Sequence, residues 1–462
     1  MLKRLRVFAC VLAAMGLLCS ANCPAYAADG SGITGLISEF THETKCNNVS
    51  VVVCDHGEIS FYGDEQGLYQ IGSMTKAFTG LAIDKLIIEG MISEDDPVAE
   101  YIPGFKVYYD SAEAEITIEN LLSQRSGFTN NETDYPSASE GMSLGQWADS
   151  ISGSELKSCP GTEYAYSNVN YNLLGLIIEN VTEMSYKEYM QEEILGPFGL
   201  GNTYVGIPDN GQIIEGSRLG FRHTYSFPIA VREATIPAGY FYSNAEDMGR
   251  WIEIWIGNDA DIPDELNAAL NAVKCRLPEA GDYYGGWEKS DDGTIGHSGG
   301  TPNYSSRIVF DEEQKTGVCV LTNLNVAAST DSLCNGIYEN MTKGSSQVLR
   351  KDVWTVFDIV FSVVTLLCIS VIIMVCLIHK KGVLIALGTL LTCLLVPVLI
   401  LFPIIFGAGL DAILFTWAPL SLLGGLVAMS VAIAVTGIRL WTEIRYANSD
   451  KTGGGTTTDC HN

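Results

Sequence analysis

The chain has 462 residues, with 54 acidic against 27 basic side chains and 47% apolar content at only 18% charged. That balance rules out a disordered chain and calls for lipid-facing segments. A formal charge of −27 excludes nucleic acid as a partner, because phosphate binding needs a basic face and none is visible.

Residues 1–27 read as an export signal: Lys3, Arg4 and Arg6 open it, residues 7–19 are apolar, and Ala25 and Ala27 set a cut after Ala27. The exported stretch, 28–350, holds 48 Asp and Glu against 18 Lys and Arg. Within it, 49–54 and 58–62 around Asp55, His56 and Gly57 predict a β-hairpin, and 305–311 with 316–323 predict another. Helical periods lie between them. Ala77, Phe78, Leu81, Ala82 and Leu86 place a helix over 73–89, stopped by Gly90, and Leu173, Leu174, Ile177, Ile178 and Val181 place one over 168–183. Terminal hairpins that bracket a helical middle join readily in one antiparallel sheet, so the fold class is α+β rather than a doubly wound parallel sheet.

Three further runs, 359–378, 382–410 and 412–438, carry no charge and are long enough to cross about 30 Å of hydrocarbon. His379, Lys380 and Lys381 follow the first run and Arg439 to Arg445 follow the third, which puts those ends in the cytoplasm and the exported domain outside. The chain therefore divides into a signal (1–27), an extracytoplasmic domain (28–350), three membrane helices (351–440) and a short tail (441–462), located as a multi-pass protein of the cell membrane. Gly424, Ala428 and Ala432 form a small-residue ladder on the third run, and Pro397 and Pro403 should bend the second. Six cysteines lie in the exported domain (Cys46, Cys54, Cys159, Cys275, Cys319, Cys334), an even number that permits fifteen pairings if all join. No C-x-x-C pair or His cluster accompanies them, so neither a metal site nor any other cofactor is indicated.

Three short segments carry chemistry. Ser73-Met74-Thr75-Lys76 follows Gly72 and opens the first helix, so the serine hydroxyl and the lysine amine share a face one turn apart. A serine needs such a base to become a nucleophile, and a helix N-terminus adds free N–H groups for a developing oxyanion. Ser154 and Lys157 repeat the spacing, but Pro160 and Gly161 deny them a helix. Tyr166-Ser167-Asn168 precedes the second helix and offers a phenol and an amide; Tyr242-Ser243-Asn244 matches equally on local grounds. His297-Ser298-Gly299-Gly300 leads into the last hairpin, and its glycines would let a substrate lie against a strand edge.

Taken in order, these segments resemble the class C β-lactamase and penicillin-binding protein family of serine hydrolases, in the D-alanyl-D-alanine carboxypeptidase, D-aminopeptidase and esterase branch that carries H-x-G as its third motif. The likeness covers most of 45–325. It includes Asp95-Asp96-Pro97-Val98, Ser126-Gly127-Phe128, Pro160-Gly161, Pro197-Phe198-Gly199-Leu200 and Pro237-Ala238-Gly239, and that last match makes Tyr242 structural and Tyr166 the family tyrosine. The resemblance implies a five-stranded sheet flanked by helices plus a helical lobe, with the site between them. It implies that Ser73 forms an acyl-enzyme, that Lys76 and Tyr166 share the proton traffic, that Asn168 orients the lysine and the substrate amide, and that the N–H groups of Ser73 and Gly300 form the oxyanion hole beside His297, Ser298 and Gly299.

The departures bear on the substrate. His297 in place of lysine makes carboxylate binding depend on its protonation, which points away from β-lactam hydrolysis. Gln124-Arg125 and Asn303 stand where relatives carry other residues, so the cleft rim should differ, and Arg125 becomes a candidate anion contact. The reading is an anchored serine hydrolase acting on a small peptide or ester, such as a D-amino-acid cell-wall peptide. Its alternative is a non-turnover ligand or β-lactam receptor, which would require a membrane protein partner because its cytoplasmic part is so short.

Overall fold

The computed structural model describes residues 32–131, 134–257, 262–277, 279–345 and 349–453; the expected signal lies outside them. Helix α1 (Ile33–Thr44) leads into strands β1 (Val49–Asp55) and β2 (Glu58–Tyr62), which turn on His56 and Gly57, both at positive φ. After a helical lobe come β3 (Tyr283–Tyr284), β4 (Trp287–Lys289), β5 (Ile295–Thr301), β6 (Tyr304–Asp311) and β7 (Thr316–Thr322). All seven form one antiparallel sheet in the order β3-β4-β5-β6-β7-β1-β2, so the terminal hairpins do meet, with Val52 opposite Cys319. Five strands have five residues or more, the number the resemblance implies, and the short β3–β4 pair prolongs one edge. Strand β4 pairs only with Ile295 and Gly296 of β5, which leaves that edge open from His297 onward.

Strand alternation sorts β1 between two cores. Val51 and Val53 face α1 and helix α2 (Ala327–Lys343), meeting Phe40, Leu333 and Ile337. Val52 and Cys54 face the larger core, which holds helix α3 (Thr75–Ile88), helix α4 (Asn168–Thr182) and helix α5 (Ala245–Trp255). Phe78 of α3 stacks on Trp251 of α5 at 4.3 Å and Trp251 meets Trp255 edge-on at 5.5 Å. Deleting Trp251 should therefore be costly: Trp251→Ala is expected to lose about 3–5 kcal/mol, read as a large fall in the thermal unfolding midpoint. All six cysteines of the domain are free thiols, four of them buried in the two cores.

Beyond the domain run α6 (Val353–Val375), α7 (Lys381–Phe406) and α8 (Leu420–Gly453), three helices long and apolar enough to cross a membrane. The third begins at Leu420 rather than 412, because Pro419 interrupts the run and 413–417 winds into a π-turn. The small-residue ladder divides: Ala428 and Ala432 pack among the helices, while Gly424 receives Phe221 from the domain, 2.6 Å from where its Cβ would sit. That contact belongs to the hairpin 217–226, whose tip residues Phe221 and Arg222 turn at positive φ. The Arg222 amide donates to Asp358 of α6, and Asp358 also accepts from Ser421 of α8.

Candidate active site

Ser73 sits in a short 3-10 turn (Gly72–Met74) that feeds α3, so the helix starts two residues later than its periodicity suggests. The turn lies against β5. Gly72 has φ 52°, and a Cβ there would collide with the Gly300 nitrogen; one on Gly299 would collide with the Ile71 carbonyl and the Ser306 hydroxyl. Only glycines let the two backbones approach this closely, and the contact brings the Gly300 amide beside the start of the Ser73 turn.

Lys76, one turn along α3, is fully buried. Its Nζ donates to Ser73 Oγ at 2.9 Å, Asn168 Oδ1 at 2.7 Å and the Ala238 carbonyl at 2.6 Å. Burial disfavours the ammonium form and holds the lysine well below its ordinary value, so the amine is available to take the Ser73 proton. Tyr166 also bonds to Ser73, and its ring lies 4.9 Å from Lys76 Nζ. The resemblance has Lys76 and Tyr166 share the proton traffic, but burial acts on them in opposite senses: it raises a phenol, and Tyr166 is shifted upward. Burial thus keeps the Tyr166 phenol protonated and eases proton loss from Lys76.

Asn168 begins α4, where the Ser167 hydroxyl caps the Val169 amide. Gln124 organises this start: fully buried and at φ 59°, its carbonyl oxygen accepts from the Ser167 amide at 2.9 Å and from Asn170 Nδ2 at 2.5 Å. It is therefore not a rim residue, and neither is Asn303, which is buried and ties the β5–β6 turn to the Phe227 carbonyl at 2.9 Å. Arg125 is exposed and donates to the Thr162 carbonyl at 3.4 Å. Tyr242 is structural, accepting from Gln70 at 2.9 Å. Ser154 lies in a two-residue strand, so the second S-x-x-K copy has no helix.

His297 reaches the site and Ser298 does not. Alternation along β5 turns Ser298 to the far face of the sheet, where its hydroxyl donates to Asp331 of α2 at 2.8 Å and accepts from Arg307 at 3.0 Å; its expected place beside the substrate belongs to the backbone alone. His297 is buried, bonded through Nδ1 to the Ser298 carbonyl at 2.6 Å and facing Tyr283 Oη at 3.4 Å. Burial pushes it down to about 3, so it stays neutral across the physiological range, and the expected protonation-dependent carboxylate contact does not arise. Because the unfolded chain binds this proton near its ordinary value of about 6.5, the folded state should lose stability as pH falls from there toward 3. His297→Gln should flatten that acid-side loss, as measured by the thermal midpoint between about pH 4 and about pH 7.

Residues that pattern-reading missed are Tyr283, Tyr171, Asn130 and the Ala238 carbonyl. The Tyr171 ring lies 5.6 Å from Lys76 Nζ, Tyr283 packs edge-on to Tyr166, and Asn130 Oδ1 accepts from the Asn168 amide at 3.3 Å. Of these only Ala238 lay in a motif noted beforehand. Among the described residues no cluster of His, Cys, Asp and Glu could hold a metal.

The beta-lactamase family profile matches residues 33–336. Protein flp of Staphylococcus aureus (strain MRSA252) is 35% identical over 269 residues, 56% of this chain and 53% of that protein. The chain thus spans about half the length of the curated relatives it matches. A protein of Escherichia coli (strain K12), provisionally named a D-alanyl-D-alanine carboxypeptidase, is 37% identical over 145 residues, 29% of this chain and 33% of its own. Among solved structures, a beta-lactamase/D-alanine carboxypeptidase from Pseudomonas syringae superposes with a TM-score of 0.58 at 18% identity, covering 68% of this chain and 98% of its own, a likeness of fold. With the fold, the buried Ser73–Lys76 pair and the family match in agreement, the chain belongs to the beta-lactamase family of serine hydrolases.

Proposed function

We propose that the chain is a membrane-anchored, extracytoplasmic hydrolase that cleaves a peptide or ester through an acyl-enzyme on Ser73. The observation that carries it is the desolvated Lys76 amine 2.9 Å from Ser73 Oγ. Ser73 Oγ bonds to the substrate carbonyl carbon as its proton passes to Lys76 Nζ, and the N–H groups of Ser73 and Gly300 receive the oxyanion. Collapse breaks the bond to the leaving amine or alkoxide, which takes a proton relayed from Lys76 through Tyr166. Water then adds to the acyl-enzyme, releases the carboxylic acid and restores Ser73.

His297 brings no cation to the cleft, and Arg307 is spent on the far face of β5. A substrate whose affinity rests on a free carboxylate, as a β-lactam's does, therefore lacks its contact. An ester, or a D-amino-acid peptide cleaved away from its free C-terminal carboxylate, is favoured instead. We divide the chain into a signal (1–27), a hydrolase domain (28–350), three spans (351–440) and a tail (441–462). His379, Lys380, Lys381 and Arg439 cluster at the end of the helices away from the domain, which supports a cytoplasmic place for that end. The complete set of Ser73, Lys76 and Tyr166 favours turnover over a receptor, since a pure binder has no use for a base.

The test is a fluorophosphonate applied to the purified full chain, followed by peptide mass mapping. One adduct on the peptide carrying Ser73 is expected; a folded chain that takes no adduct would overturn the reading.

A further inference from the structure

The connection between α7 and α8 touches both lips of the cleft. On one side, Asn130 accepts from the amide of Asn168, the residue that holds Lys76, and its neighbour Asn131 lies 3.3 Å from where a Cβ on Gly407 would sit. On the other, the Phe227 carbonyl holds Asn303, three residues beyond Gly300, while the Phe227 ring lies 5.0 Å from the Arg218 guanidinium. That guanidinium is buried and donates to three carbonyls of the connection, Leu414 at 2.5 Å, Phe415 at 3.1 Å and Ala418 at 2.6 Å.

Trp354 and Trp417 lie at this end of the helices, and Phe415 is 60% exposed. The amphipathic tryptophan rings favour headgroup level, so the connection marks the outer surface of the bilayer. A domain so acidic would be repelled by an anionic leaflet. The Arg218 and Arg222 contacts oppose that repulsion and hold the cleft at the surface.

We propose that the 407–419 connection forms the membrane-side wall of the cleft, so that the acyl donor reaching Ser73 is an amphiphile: a peptide or ester carried on a bilayer-embedded lipid chain. The inference rests on the Ser73 acyl-enzyme reading and adds the substrate class to it. A donor anchored in the same bilayer reaches the lips by lateral diffusion, whereas a soluble donor must find them from bulk solution.

The test uses the full chain in phosphatidylethanolamine/phosphatidylglycerol nanodiscs with lipid in excess, and two fluorophosphonates with one reactive head. One carries a short ethylene-glycol tail and the other a hexadecyl chain; in both, the Ser73 Oγ–P bond forms as fluoride leaves with the serine proton. The hexadecyl probe is expected to label Ser73 about tenfold faster or more, from its higher effective concentration at the lips. Arg218→Ala, which frees the connection from the domain, should narrow that ratio severalfold; if this variant is not recovered folded, the wild-type ratio decides alone. Equal rates, or faster labelling by the short probe, would overturn the lipid-borne donor while leaving Ser73 as nucleophile. Labelling by neither probe would overturn both.

Discussion

Ser73→Ala should lower kcat by about 10⁴-fold or more, with little change in KM or in the thermal midpoint. Ser73 Oγ is the one hydroxyl that Lys76 Nζ and Tyr166 both address, so no neighbour can take its place. What survives should be the weak acceleration that the oxyanion donors and binding supply without a nucleophile. Steady-state hydrolysis of an activated ester by the full chain would measure it. A loss of less than about tenfold would mean that water attacks directly and that the acyl-enzyme is off the path.

Lys76→Arg should be nearly as damaging, by about 10³-fold in kcat, although it exchanges one basic side chain for another. The argument turns on proton affinity. Lys76 is held well below its ordinary value by burial, so its ammonium gives up a proton more readily than a free lysine's and the amine can accept one from serine; a guanidinium cannot be deprotonated in a protein. The sign of the pH dependence follows. Activity should rise with pH as Lys76 loses its proton and level off above, with the midpoint well below the ordinary lysine value. In Lys76→Arg that rising limb should vanish. If the variant kept both the rate and the limb, Lys76 would be an electrostatic anchor and Tyr166 would have to be the base.

The elements legible in the sequence were those fixed by neighbours in the chain. The Ser73–Lys76 spacing, the two hairpins, the helix starting at Asn168 and the three apolar runs each depend on a period or a turn within about ten residues. Gln124 and Asn303 escaped for the opposite reason. Each was visible as a departure, but a polar residue in a loop sequence reads as exposed, and only the meeting of distant segments buries it and completes its bonds. Tyr171 and Tyr283 look like ordinary core aromatics until the sheet edge brings them beside Lys76, Tyr166 and His297. Ser298 was misplaced by reading its motif as a unit, when a strand sends adjacent side chains to opposite faces. Arg218 gave no signal, since its partners are backbone carbonyls nearly 200 residues away.

One junction governs how the domain can move. Asp352 caps α6 through the Trp354 amide at 2.8 Å and at the same time accepts from the Ala328 amide of α2 at 3.0 Å, while its own amide donates to Ser329 at 3.0 Å. One carboxylate therefore holds the start of the last helix of the domain and the start of the first apolar helix together. Such a post fixes the height and heading of the cleft. In a bilayer, the only search left to the enzyme would be lateral diffusion, and its encounter rate would scale with the number of substrates per unit area rather than per unit volume.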